Sequence, residues 1–308
     1  MSDTHGDLLT IDPGVFGHQF NRRPFFIEHR LGDHPLFALP RLVALAQVLP
    51  SDEVEYNAGN LPVNADYRQT PRNGLDVAET IRRVEHCGSW MVLKRVERDP
   101  EYKALLDRLL DEIQPHSEPL HPGMRDRQGF IFISSPGSVT PFHMDNEYNF
   151  LLQVRGDKTV HMWDPSDRLV LPEQTIEEFH ANFVHRNLEF REEFMATAWV
   201  LELTPGHGLH FPVNAPHWIK NGAGVSISFS ITFDGESAQQ RKLVYILNNR
   251  LRKLGVEPSP YGSSPGRDRL KALGFASYLK VRRRLAALTG RGPAQPVTAQ
   301  EPSPAGQP

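Results

Sequence analysis

The sequence predicts a mainly β protein with flanking helices, its β part closed into a double-stranded β-helix, or jelly-roll, barrel. Three observations carry this expectation. Between about residues 128 and 235, some seven short apolar or alternating runs are separated by Pro, Gly and Asp, the texture of strands and turns. One of them, VSISFSITF, alternates throughout, with Val225, Ile227, Phe229 and Ile231 on one face and Ser226, Ser228 and Ser230 on the other. A strand whose second face is polar suits a barrel that holds a polar ligand. Segments with apolar residues at helical spacing lie before and after this region.

The bulk properties agree. A chain of 308 residues that is 39% hydrophobic and 23% charged is long enough to bury a sizeable core as one large domain with appendages. Its single cysteine, Cys87, excludes an intrachain disulfide and any cysteine-rich zinc site. The start, MSDTHGDLLTIDPGVFGHQ, lacks a basic stretch followed by an apolar run, so it does not read as a signal peptide. No stretch approaches the roughly 18 apolar residues of a membrane span. A cytoplasmic protein that binds no membrane is expected.

Taken in order, LFALPRLVALAQV is apolar at helical spacing with an early proline, and LDVAETIRRVEH reads as an amphipathic helix. SWMVLKRV reads as a strand. DPEYKALLDRLLDEI is a helix opened by Asp99-Pro100. The strand texture then begins with GFIFISSPG, NFLLQVRG and KTVHMWDP, and continues through ATAWVLELTPG, GLHFPV and VSISFSITF. Helices return at SAQQRKLVYILNNRLRKLG and RDRLKALGFASYLKVRRRLAALTG, with Gly255 and Gly290 as stops. The expected organisation is therefore 1–127 as helical and strand elements supporting the barrel and 128–235 as the barrel core. Residues 236–290 are basic helices, and 291–308 a Pro-, Ala- and Gln-rich disordered tail.

The chemistry centres on TPFHMDNEYNF, residues 140–150. On an extended segment, side chains two apart point the same way, so His143 and Asp145 can grip one object from one side. Two histidines and one carboxylate on one face of a metal form the ligand set of many oxygen-activating iron(II) enzymes, leaving three positions open. The second histidine must come from elsewhere, and His161, His180, His185, His207, His210 and His217 lie downstream. His217 stands out, because it follows PVNAP and precedes WIKNG, a turn into the alternating strand. Taken alone, a His-x-Asp pair is a weak signal, and a zinc or structural metal site competes with iron. A 2-oxoglutarate co-substrate would need a cation and a hydroxyl for its far carboxylate. Thr140 precedes His143, and Lys158 heads the following strand; adjacent barrel strands would bring them to one carboxylate.

These residues fall in a larger pattern. TPFHMDNEYNFLLQVRGDK resembles the core of the JmjC/cupin-like 2-oxoglutarate oxygenases, most of all the group of the asparaginyl hydroxylase that inhibits the hypoxia-inducible factor. Thr140, Pro141, His143, Asp145, Asn149, Gln153, Val154, Gly156 and Lys158 are all in register with that family, as are Pro212, His217 and Asn221-Gly222 before the final β-run. The resemblance covers about residues 128–235. It implies an Fe(II)- and 2-oxoglutarate-dependent dioxygenase that decarboxylates 2-oxoglutarate to succinate with O2 and hydroxylates a C–H bond; demethylation would be the same step on an N-methyl carbon. It implies further that His143, Asp145 and His217 bind iron, that Lys158 and Thr140 bind the far carboxylate, and that Asn149 lies beside the co-substrate.

The chain also departs from the family. Ser230 stands where that hydroxylase has an asparagine near the co-substrate, and Thr232 where a tryptophan follows. The tyrosine that helps hold the far carboxylate has no clear equivalent; Trp90 and Val92 lie on the corresponding strand. Substrate identity therefore does not carry over, and a protein side chain or a small molecule both stand. Two alternatives stay open: a cupin-type metalloenzyme that uses no 2-oxoglutarate, and a non-catalytic JmjC-like binding or regulatory module.

Charge divides unevenly along the chain. After residue 240 there are 13 Lys and Arg against 3 acids, and before it 21 against 34, so the two parts carry +10 and −13. A basic stretch such as YLKVRRRLAAL raises nucleic-acid binding, but no aromatic-interleaved basic patch or zinc finger supports it. Packing of these helices, or a homodimer formed through them, is the expectation.

Overall fold

The computed structural model describes residues 6–65, 71–182 and 188–288. The first residues of the N-terminal stretch, the Gly290 stop, the tail over 291–308 and His185 lie outside the described residues. By internal contacts the chain forms two units, Met1–Val170 with Leu188–Gly235, and Leu171–Asn187 with Glu236–Pro308.

In the first unit the chain runs β1 (Leu9–Thr10), α1 (Pro13–Gln19), β2 (Phe26–His29), α2 (Leu39–Val48), β3 (Val54–Ala58), α3 (Val77–Arg82), β4 (Ser89–Leu93), α4 (Pro100–Ser117), β5 (Arg125–Ser134), β6 (Val139–His143), β7 (Tyr148–Arg155) and β8 (Lys158–Met162). After α5 (Glu173–Asn182), which belongs to the second unit, come β9 (Trp199–Leu203), β10 (His207–Phe211), β11 (His217–Asn221) and β12 (Ser226–Asp234). The second unit continues with α6 (Ser237–Lys253) and α7 (Pro265–Leu288).

The strands form an eight-stranded sheet ordered β1-β2-β10-β7-β12-β5-β4-β3 and a four-stranded sheet ordered β6-β11-β8-β9. Every pairing is antiparallel. From β5 onward, strands consecutive in sequence mostly switch sheets, the connectivity of a jelly roll. The expected barrel is therefore present, with β5, β12, β7 and β10 facing β6, β11, β8 and β9. Sequence reading had found the β4 strand, but not β1, β2 and β3, which extend the larger sheet at both edges.

The alternation of β12 sorts its two faces. Ile227, Phe229, Ile231 and Phe233 pack with Leu42, Leu45, Leu106 and Leu109 from α2 and α4 in the main hydrophobic core. Ser226, Ser228 and Ser230 turn inward and are all buried. Between the sheets Leu151, Val160, Met162, Leu209, Phe211 and Ile219 form a second, smaller core. Helix α4 starts where the sequence places it: Asp99 Oδ1 accepts from the Glu101 and Tyr102 amides at 2.9 and 3.5 Å, with Pro100 in the first turn. Such a cap contributes about 1 kcal/mol. At the β7–β8 turn Gly156 has φ +69°, and a Cβ there would lie 2.3 Å from the Val225 carbonyl oxygen. Only glycine fits this turn, which sets where β8 begins.

Candidate active site

The barrel brings His143, Asp145 and His217 together. His143 ends β6 and His217 opens β11, and the two residues pair directly across the strands. Their rings lie 4.1 Å apart between centroids. Asp145 Oδ2 is 3.8 Å from His143 Nε2 and 3.7 Å from His217 Nε2. Each imidazole is held from behind. His143 Nδ1 sits 2.7 Å from the Pro141 carbonyl oxygen and His217 Nδ1 2.9 Å from that of Ala215. A carbonyl only accepts, so Nδ1 carries the proton and the Nε2 lone pair faces Asp145. The turn carrying His217 is itself tied to Asp145, because the Asn214 amide donates to the Asp145 carbonyl at 2.7 Å.

Three lone-pair donors thus converge, all within 4.8 Å of one another. With bonds of about 2.0–2.2 Å, one ion reaches two donors up to roughly 4.4 Å apart, and both Asp145–His distances lie inside that span. The fixed tautomers and the donor types fit a divalent transition metal. Both histidines are buried, whereas the Asp145 side chain is 40% exposed, so the trio opens on one side only.

The trio lies at one end of a cavity that is also lined by Thr140, Asn149, Lys158, Trp90, Phe132 and Ser134. Lys158 starts β8 and is 4% exposed. Its ammonium donates to Ser228 Oγ at 2.6 Å, and no carboxylate among the described residues pairs with it. Burial pushes its pKa down to about 7. A buried cation without an anion is costly, and a ligand carboxylate would supply the missing charge.

The expectation that Thr140 and Lys158 occupy adjacent strands is corrected. β11 lies between β6 and β8, because β7 has crossed to the larger sheet before β8 returns. Thr140 pairs with Ile219 and Lys158 with Asn221, so the two flank β11 and still face one cavity. Asn149 lines the cavity, and Ser230 stands behind it, its hydroxyl donating to Asn149 Oδ1 at 2.8 Å.

The other histidines are elsewhere. His161 stacks on Trp218 at 3.8 Å, His180 is on α5, and His207 bonds Thr204. His210 is buried among Phe20, Phe25 and Phe150, with Nδ1 on the Asn149 carbonyl and Nε2 accepting the Asn21 amide. Burial holds its pKa near 3, so it is a neutral, fully bonded core residue. Near the trio, burial together with Asp145 and Asp234 pushes the Glu147 carboxyl up to about 7. Tyr148 packs against Phe20 and Phe233, away from the cavity, and Arg155 is exposed.

Sequence reasoning missed Ser134 and Phe132, which reach the cavity from β5, and left Trp90 without a role. The alternation of GFIFIS would have put Phe132 and Ser134 on one face. Nothing in the sequence alone says which face.

The profile of the Cupin-like domain matches residues 46–239. No curated protein matches the chain. Among solved structures, the X-ray structure of E. coli ycfD is similar at 17% identity, over 88% of this chain and 68% of that one, with TM-score 0.53. E. coli YcfD, a ribosomal oxygenase, in complex with cobalt and succinic acid matches at 17% identity over 89% and 68%, TM-score 0.48. Its complex with cobalt and 2-oxoglutarate matches at 17% over 89% and 68%, TM-score 0.47. At this identity the likeness speaks for the fold. With the profile covering well over half of the sequence, and the barrel it describes present around the His143, Asp145 and His217 cluster, the chain belongs to the cupin-like domain family.

Proposed function

We propose that the chain is an Fe(II)- and 2-oxoglutarate-dependent oxygenase that hydroxylates a C–H bond. The observation that carries this is the pairing of opposite ends in one cavity. His143, Asp145 and His217 offer only lone pairs at one end, and at the other Lys158 is a buried cation with no carboxylate partner among the described residues. Iron(II), when bound, supplies the activation of O2. The protein's residues do the rest. The trio holds the metal from one side and leaves its other side to ligands. Lys158 and Thr140 hold the far carboxylate of 2-oxoglutarate, and Asn149, braced by Ser230, borders the co-substrate. Phe132, Leu151, Phe211 and Ile219 line the cavity with apolar surface that keeps water from the bound co-substrate.

A metalloenzyme of the same barrel that uses no 2-oxoglutarate would not need an unpaired lysine in its cavity. A binding module would not need both imidazoles locked in the metal-binding tautomer. The substrate is a protein side chain or a small molecule. In this reading residues 1–127 support the core over 128–235, and the single Cys87, a free thiol, suits the reducing cytoplasm. No helix among the described residues is long and apolar enough to cross a membrane.

The helices over 236–290 serve assembly as a homodimer. Leu270, Leu273, Tyr278, Val281 and Leu285 form an exposed stripe along α7, opposite the buried Ala272 and Phe275. A second copy laid antiparallel would cover the stripe with its own. Replacing Leu273 and Val281 by Ser should shift gel-filtration elution to the monomer; an unchanged volume removes this role.

The function is tested by incubating purified protein with Fe(II), ascorbate and 2-oxoglutarate and measuring succinate, beside His143→Ala. Slow turnover that vanishes in the variant is expected. No succinate, together with no stabilisation by 2-oxoglutarate, would move the assignment to the alternatives.

A further inference from the structure

The carboxylate end of the cavity holds two hydrogen-bond chains whose directions are fixed. The first starts in the β7–β8 turn. Gln153 is fully buried, and its Nε2 donates to the Arg155 and Gly156 carbonyls at 2.7 Å each. Carbonyls only accept, so the amide orientation is forced. Gln153 Oε1 therefore faces Ser228, whose hydroxyl donates to it at 2.7 Å. A serine hydroxyl has one hydrogen. With that hydrogen committed to Gln153, Ser228 Oγ can only accept from Lys158, as it does at 2.6 Å. One N–H of the ammonium is thus drawn to the wall, and two are left for the cavity.

The second chain is shorter. The Trp90 indole N–H donates to Thr140 Oγ1 at 3.0 Å. Indole nitrogen is a donor only, so it fills a lone pair of Thr140. The hydroxyl hydrogen of Thr140 has no acceptor among the described residues and is available to a ligand. Trp90 and Ser228 are 2% and 0% exposed, so neither bond competes with bulk water.

We infer that Trp90 and Ser228, the latter backed by Gln153, are positioning residues that hold Thr140 and Lys158 as donors and make this end of the cavity selective for a carboxylate. This rests on the proposed 2-oxoglutarate site and adds what orients it. It also gives Trp90 a part: its ring acts through Thr140.

The test compares 2-oxoglutarate with 2-oxopentanoate, which has the same 2-oxo acid end and a methyl group in place of the far carboxylate. Affinities are measured by calorimetry on the full chain with Mn(II), for wild type, Trp90→Phe and Ser228→Ala. Wild type should prefer 2-oxoglutarate. Each variant should lose about tenfold in 2-oxoglutarate affinity, the scale of one hydrogen bond to a charged group, while 2-oxopentanoate affinity moves less than twofold. A merely structural defect would weaken both acids alike, and that result would overturn the inference. So would two folded variants with wild-type preference. If one variant fails to fold, the other, on a different strand, decides. If wild type binds neither acid, the 2-oxoglutarate reading itself fails, an outcome distinct from loss of the positioning roles.

Discussion

The two ends of the cavity are built in opposite ways. At one, His143, Asp145 and His217 present lone pairs and every ring proton is turned away to a backbone carbonyl. At the other, Lys158 and Thr140 present hydrogens, Thr140 accepts from Trp90, and the Ser228 hydroxyl hydrogen is committed to Gln153, so that Ser228 accepts from Lys158. Both ends use the same device, a buried neighbour that leaves a side chain only one role. The difference is who supplies the neighbour. Backbone carbonyls two residues away orient the metal-end histidines, so the orienting bonds there are local although His143 and His217 come from β6 and β11. The carboxylate end is assembled from β4, β6, β7, β8 and β12, 50 to 75 residues apart in its key bonds. A molecule with a 2-oxo acid at one end and a carboxylate at the other satisfies both.

The comparison can be broken first at the metal end. His143→Ala removes a ligand outright, and loss of metal affinity should exceed the roughly 100-fold typical when only an orienting neighbour is lost. Fe(II) or Mn(II) titration checks this, and succinate formation should fall to background. Treatment with a chelator should do the same to wild type, with recovery on adding Fe(II).

The other end breaks through Lys158→Met. Removing one partner of a buried charge pair costs about 2 kcal/mol or more, at least roughly 30-fold in 2-oxoglutarate affinity. The same change should raise the melting temperature of the ligand-free protein, because it deletes a buried cation that has no anion among the described residues. A binding residue that destabilises the unliganded fold is the expected mark of a site made for an absent charge.

A pH series sharpens the same point. With the Lys158 pKa at about 7, the ligand-free protein carries the ammonium below that value and the amine above it. Affinity for 2-oxoglutarate should therefore fall as pH rises from 7 to 9, by at most about tenfold per unit. The lysine's contribution to stability runs the other way. The folded-state pKa is depressed, so the unfolded chain binds more protons between about 7 and 10.5, and ligand-free stability should rise with pH across that window. Lys158→Met should flatten both trends.

The smallest expected effect comes from the turn that places β8. Gly156→Ala puts a Cβ against the Val225 carbonyl at a positive φ. It should cost on the order of 2 kcal/mol of stability, read by urea denaturation, with a secondary loss of 2-oxoglutarate affinity as Lys158 shifts.

What was legible in the sequence follows the same division. The metal trio was readable because His143 and Asp145 are two residues apart, and because the turn before His217 announces a strand start. The polar inner face of β12 was readable from alternation alone. Lys158 and Thr140 do line one cavity, but their expected placement on adjacent strands failed, since spacing does not show that β7 leaves for the other sheet. Trp90, Ser134 and Phe132 were not found as cavity residues, because β4 and β5 pair only through contacts distant in sequence. The edge strands β1, β2 and β3 lacked a strong period and were settled by pairing with a sheet already formed.

The central claim is that two independent ends bind one molecule. Calorimetric titration of 2-oxoglutarate under anaerobic conditions, with and without Fe(II), tests it most directly, using wild type, His143→Ala and Lys158→Met. Expected are weak binding to wild type without iron and tighter binding with it, loss of only the iron-dependent gain in His143→Ala, and, in Lys158→Met, affinity at least roughly 30-fold weaker in both conditions with the iron-dependent gain retained. Binding that is indifferent to Lys158, or no binding of 2-oxoglutarate to wild type in either condition, would contradict it.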